Sequence, residues 1–253
     1  MHHLFIAFIV FCCVFASAVL GLWLHAMLPG HHLSEDSIGV VKLTTGLIAT
    51  IAALVLGLLI SSAKNSLDTM NAELVRAAAS IVQLDRVLAK YGPETQEIRE
   101  ALKQHVGASI QILSSGDPAQ VARLGNTATL RRVEGLQHKL EELSPHNAMQ
   151  RQLQASAIGI ADEVLAVRRL ALLQSVGALP MALLVMLVVW LSIIFGAFGM
   201  FGPFNVTVVA AFFLGAVSTS GAIFLILEMN TPLDGLITVS LEPMRDAFAM
   251  LGK

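Results

Sequence analysis

The sequence predicts an all-α fold: four transmembrane helices in two pairs, with a cytoplasmic helical bundle continuous with the second and third spans. Three observations predict it. Four apolar runs almost free of charge lie at about 4–28, 40–62, 170–201 and 204–227. Each is at least about 20 residues long, enough to cross about 30 Å of hydrocarbon at about 1.5 Å per residue. Between the pairs runs a polar stretch with helical periodicity. Finally, 55% of residues are hydrophobic and 13% charged, against about 25% charged in soluble domains. The mean hydropathy of +0.73 excludes an ordinary soluble globule. The resulting divisions are a transmembrane hairpin at 1–62, a cytoplasmic helical region at 63–169, a second hairpin at 170–228 and a cytoplasmic or interfacial segment at 229–253.

The first run reads as a membrane-resident helix rather than a signal peptide. It has no Lys or Arg before it, and its apolar stretch exceeds the 7–15 residues of a signal core. Cys12 and Cys13 are adjacent within it, so they cannot readily bridge, and two cysteines build no metal or disulfide framework. The connection to the second run, PGHHLSEDSIG, carries Glu35 and Asp36 but no Lys or Arg. The polar middle holds thirteen of the sixteen Lys and Arg residues, with Lys64 abutting the second run and Arg168 and Arg169 abutting the third. Flanking cations of this kind mark the cytoplasmic side. Both termini and the middle are therefore expected inside, and both tight connections outside.

No Pro or Gly separates the second run from the amphipathic pattern Leu67, Met70, Leu74, Ala78, Ile81, Leu84 and Leu88. One helix is expected to leave the membrane and continue to about Lys90. Tyr91-Gly92-Pro93 ends it, and Glu94 opens a helix to about Ser114. Asp117 and Pro118 read as N-cap and N1 of a third, at about 118–143. A fourth, at about 146–171, is expected to run into the third span, where Pro180 would kink it.

Within the second span, Lys42, Thr45, Ala49, Ala53, Gly57, Ser61 and Lys64 form a small, weakly polar strip, basic at both ends. Two readings are open. Such a strip suits an anion pathway, with little bulk and favourable potential at the mouths; small residues also let helices pack closely. In the fourth span Ser218, Thr219 and Ser220 lie at mid-depth, where hydroxyls can coordinate an ion or bond back to helix carbonyls. Glu228 and Asn230 stand at its inner end. A carboxylate there opposes the helix dipole and calls for a partner; Arg168, Arg169 and Arg245 are the first candidates.

Catalysis fits poorly. There is no nucleophile elbow, zinc-protease helix or Gly-rich phosphate loop, so no catalytic residue, metal site or cofactor is expected. The net charge of −2 gives no sign of a nucleic-acid partner. His31 and His32, beside Glu35 and Asp36, could sense external pH, bind a metal weakly or simply form a polar outer turn, which is the preferred reading.

Two stretches, LVLGLLISSAKNSLDTMNAELVRAAASIVQLDRVLAKYGPET at 54–95 and LILEMNTPLDGLITVSLEPMRDAF at 225–248, resemble the bestrophin-like bacterial membrane proteins, and the two-pair layout matches as well. Bestrophins proper are pentameric anion channels whose second membrane helix lines the pore. The resemblance implies a homo-oligomer in the bacterial inner membrane, a pentamer by analogy. By position, its pore strip would include Thr45, Ala53, Gly57, Ser61 and Lys64. Bestrophins place aromatics at the pore neck; this second span has none, so a constriction would fall to aliphatics such as Val55, Leu58 or Leu59. The function expected is a bestrophin-like channel or transport protein for anions. The alternative is a membrane scaffold whose cytoplasmic bundle binds a protein partner.

Overall fold

The computed structural model describes residues 2–27, 35–117, 119–120, 135–174, 181–231 and 236–253. It is helical throughout, with no strand among the described residues. The principal helices are α1 (His2–Met27), α2 (Glu35–Tyr91), α3 (Gln96–Ser114), α4 (Ala148–Gln174), α5 (Met181–Phe201), α6 (Val206–Met229) and α7 (Glu242–Met250). A further helical stretch covers 135–141. Among the described residues four helices are long and apolar enough to cross a membrane: α1, α2, α5 and α6. The expected outer turn at His31 and His32, most of the helix at 118–143, and the join containing Pro180 lie outside the described residues.

α2 is one helix of 57 residues, about 85 Å at 1.5 Å per residue. Its end is built locally. Gly92 takes φ +141°, a conformation costly for any side chain, and Pro93 opens a 3₁₀ turn to Thr95. The fully buried Thr95 hydroxyl donates to the Leu88 carbonyl at 2.6 Å and lies 2.9 Å from that of Gly92. The carbonyls that the ending helix would leave unsatisfied therefore find a partner. At the break before residue 118, the Asp117 carboxylate accepts the Ala119 N–H at 2.9 Å, as a cap should.

The chain forms two compact units. The first comprises Met1–Asn65 and Ala178–Asn230. Its core joins Val10 and Val14 of α1, Ala52, Leu59 and Ala63 of α2, Leu184, Leu187 and Ile194 of α5, and Ala216, Ile223 and Ile226 of α6. α1 and α5 approach with backbones nearly touching. A Cβ at Gly21 would overlap the Gly196 carbonyl oxygen, and one at Gly199 would overlap that of Ala18. This is the small-residue seam that helices use in lipid, where apolar side chains gain nothing by leaving hydrocarbon. Phe11, Phe15 and Phe213 stack and abut beside it, with ring centroids 5.5–5.9 Å apart.

The second unit comprises Ser66–Gly177 and Thr231–Lys253. Its core is aliphatic: Ile81, Leu84 and Leu88 of α2 meet Ile98, Leu102 and Val106 of α3, Leu136 and Leu140, Ala157 and Ile160 of α4, and Met244, Ala247 and Leu251 in the C-terminal segment. One ion pair lies in it. Asp85, with its side chain 4% exposed, accepts the Arg99 Nε–H at 2.7 Å and an Nη2–H at 3.0 Å. It also accepts the Gly252 N–H at 3.2 Å, and Lys103 donates to the Leu251 carbonyl at 3.1 Å. Burial pushes the Asp85 carboxyl upward, but the Arg99 hydrogen bonds, the Gly252 N–H and the charges of Arg99 and Lys103 together hold it below its ordinary value. Arg99 is raised in turn by its hydrogen bonds to Asp85.

Candidate functional site: the faces of the second helix

Along α2 a buried stripe runs through Thr45, Ala52, Leu59, Ala63, Met70, Ala78, Ile81, Leu84, Leu88 and Tyr91, with Ser80 and Asp85 buried beside it. The ten of the stripe, from Thr45 to Tyr91, are separated by three or four residues or by seven or eight, that is, by one or two steps of about 3.5, the period of a coiled-coil seam. This stripe decides where each residue of the sequence-derived strip falls. Thr45 is on it, 5% exposed, and Ala49 lies at its margin. Stepping onward by four residues rotates about 40° per step on a helix of 3.6 residues per turn. Ala53, Gly57, Ser61 and Lys64 accordingly lie on the exposed side. Among the aliphatics named for a constriction, Leu59 is 3% exposed in the core and Val55 packs against it, whereas Leu58 points outward at 64%. The structure thus brings Ala53, Gly57, Ser61 and Lys64 together on one side of the helix and places Thr45, Val55 and Leu59 on another.

The exposed surface of α2 is itself divided. Leu43, Leu47, Leu54 and Leu58 make a leucine flank, suited to lipid. Beside it run Gly39, Lys42, Gly46, Ala53, Gly57 and Lys64. A Cβ built at Gly39, Gly46 or Gly57 meets nothing within 4 Å. No steric demand inside the subunit explains these glycines, in contrast to Gly21 and Gly199.

Two hydroxyls of α6 bond within their own helix. Thr219 donates to the Gly215 carbonyl at 2.8 Å and Ser220 to that of Val217 at 3.0 Å, while Ser218 is exposed. Asn230 is the C-cap residue. Glu228 is 6% exposed, and its Oε1 lies 3.1 Å from His3 Nδ1. His3 is a partner that sequence reasoning missed. Arg245, one of the cations proposed for Glu228, instead donates to the Ser114 hydroxyl at 3.3 Å, and the side chains of Arg168 and Arg169 lie outside the description. A histidine near the start of the chain was the available signal, but 225 residues separate it from Glu228. An apolar groove between α1 and α5 is lined by Cys13, Ser17, Gly21, Ser192 and Gly196. It offers no convergent polar groups, since the Ser17 hydroxyl is committed to Val14. No group of three or more His, Cys, Asp or Glu side chains able to hold a metal forms among the described residues.

These helices define a multi-pass membrane protein. The model of the Bestrophin-like domain matches residues 12–244, nearly the whole chain. The chain belongs to the bestrophin-like family. No curated protein and no solved structure matches it.

Proposed function

We propose that this protein is the subunit of a homo-oligomeric channel or transport protein for anions rather than an enzyme, with α2 around the shared axis. The observation that carries the reading is the exposed small-residue face of α2. Gly46, Ala53, Gly57 and Ser61 leave space that the subunit does not use, and Lys42 and Lys64 stand at its two ends. Small side chains and a positive potential at the mouths are what an anion path needs. Family membership supports an oligomer, a pentamer by analogy. The family resemblance supports a bacterial inner membrane, and the cation distribution supports both termini and the middle region on the cytoplasmic side.

A scaffold would need a contiguous apolar docking face on the second unit. The exposed large apolar residues described there, Val75, Met149, Leu236 and Met250, are scattered, which favours transport.

The test is chloride flux from liposomes holding the purified oligomer, with its mass measured in detergent. Wild type should conduct, and Lys64→Glu should lower or invert the preference for chloride over potassium. A verified oligomer passing no ion at any pH or calcium level, or a strictly monomeric protein, would remove the reading.

A further inference from the structure

Within the first unit, Glu228 stands where a carboxylate is least welcome. It is the last residue but one of α6, at the negative end of that helix's dipole, and its side chain is 7% exposed. The unit's other carboxylates, Glu35 and Asp36, lie at the start of α2. A carboxylate so placed needs a counter-charge or must give up its own. The fold brings it a histidine from the first turn of α1. His3 Nδ1 lies 3.1 Å from Glu228 Oε1. Against a carboxylate that nitrogen carries the proton and donates it.

The choice of histidine has a consequence. Lysine or arginine would hold a carboxylate at any ordinary pH, whereas imidazole changes charge between about pH 5 and 8. The His3 side chain is 25% exposed, so its proton can exchange with solvent. Within the unit, the other charged or titratable residues at this end are His2, beside it on α1, and the exposed Lys64 on α2. α5 carries no titratable residue along its length. The opposite end of α1 is held differently. His25 Nδ1 lies 2.7 Å from the Met200 carbonyl oxygen, an acceptor that never titrates and that a neutral imidazole N–H also satisfies.

We infer that His3 and Glu228 form a proton-dependent latch that fastens the start of α1 to the end of α6. Between about pH 4.3 and about pH 6.5, the ordinary values for a glutamate and a histidine, both groups are charged and the latch is closed. As pH rises through the histidine range the ring loses its charge. The carboxylate then stays buried while α1 offers it only a neutral donor. The latch weakens on the alkaline side, and the first turns of α1 loosen. This holds whether or not the protein conducts.

The experiment is the thermal midpoint of the purified full chain in detergent, at about pH 6 and about pH 8.5. The proteins are wild type, His3→Gln, Glu228→Gln, the double variant and His3→Lys. At the lower pH the two single losses should exceed additivity by a coupling of about 4 °C, the size expected for a charge-assisted bond in a chain of this length. At the higher pH that coupling should fall to less than half. His3→Lys, with a permanent cation, should hold its midpoint where wild type drops. Equal coupling at both pH values overturns the latch, because a plain hydrogen bond then joins the two groups; no coupling at either pH overturns it as well. Should Glu228→Gln fail to fold, the His3 variants decide. A gap between wild type and His3→Gln that does not narrow at the higher pH, or a His3→Lys midpoint that drops as far as that of wild type, overturns the latch.

Discussion

Both units bury aliphatic side chains, Leu187, Ile223 and Ile226 among them in the first, but the first adds a seam that closes backbone to backbone. In the first, α1 and α5 close because side chains are missing: Gly21 and Gly199 let backbone meet backbone, and the hydroxyls of Ser17, Thr219 and Ser220 bond within their own helices. In the second, side chains fill the space between helices. Leu84, Leu88 and Leu140 are almost fully buried, and Asp85–Arg99 ties α2 to α3. The difference follows from the solvent. Water drives leucines together; hydrocarbon does not, so association there rests on close contact and internally satisfied polar groups.

Substitutions of opposite sign should break the two units. The largest effect is expected from shrinking the second: Leu84→Ala should cost about 3 kcal/mol, from lost transfer energy and the cavity left behind. It would be read as a lowered midpoint of helix loss in detergent. Enlarging the first comes next. Gly21→Leu should cost about 2 kcal/mol through overpacking, with a lower midpoint of subunit unfolding, whereas Gly57→Leu should leave that midpoint unchanged. If Gly57→Leu destabilises the isolated subunit as much as Gly21→Leu, the contrast between closed and open glycines is lost.

An effect of similar size sharpens the comparison through pH. The folded Asp85 carboxyl lies below its ordinary value of 3.8, so its contribution is full above that pH and fades as pH falls through the lower, folded value. Asp85→Asn should cost about 2 kcal/mol at neutral pH, since it leaves Arg99 partly buried without a counter-charge. The gap to wild type should close as the medium is acidified below about 3.8. A gap that stays constant down to pH 2 would mean that packing, not charge, is what Asp85 supplies.

Much of this architecture was legible in order along the chain. The four apolar helices, the uninterrupted α2 and its stop at Tyr91-Gly92-Pro93 all depend on neighbours in sequence, and composition and periodicity report them. The faces of α2 were harder to read. A strip stepped by four residues looks coherent in the sequence but winds around the helix, so Thr45 and Ser61 end on different sides. Only the buried positions reveal that the seam advances at about 3.5. The long-range ties were out of reach: Asp85 with Gly252 and His3 with Glu228 require distant segments to fold together. Thr95 was overlooked because its role depends on carbonyls exposed where α2 ends.

The seam between α1 and α5 also constrains how the sequence can drift. In most cores an enlarged residue can be accommodated by a smaller one across the gap. Here the atoms met by a side chain at Gly21 or Gly199 are backbone oxygens of the opposing helix, and no substitution shortens a carbonyl. Compensation would have to come from the helices moving apart together, along their whole length. Single-step evolution has almost no route through these two positions, while the open glycines of α2 remain free to vary as far as the oligomer allows.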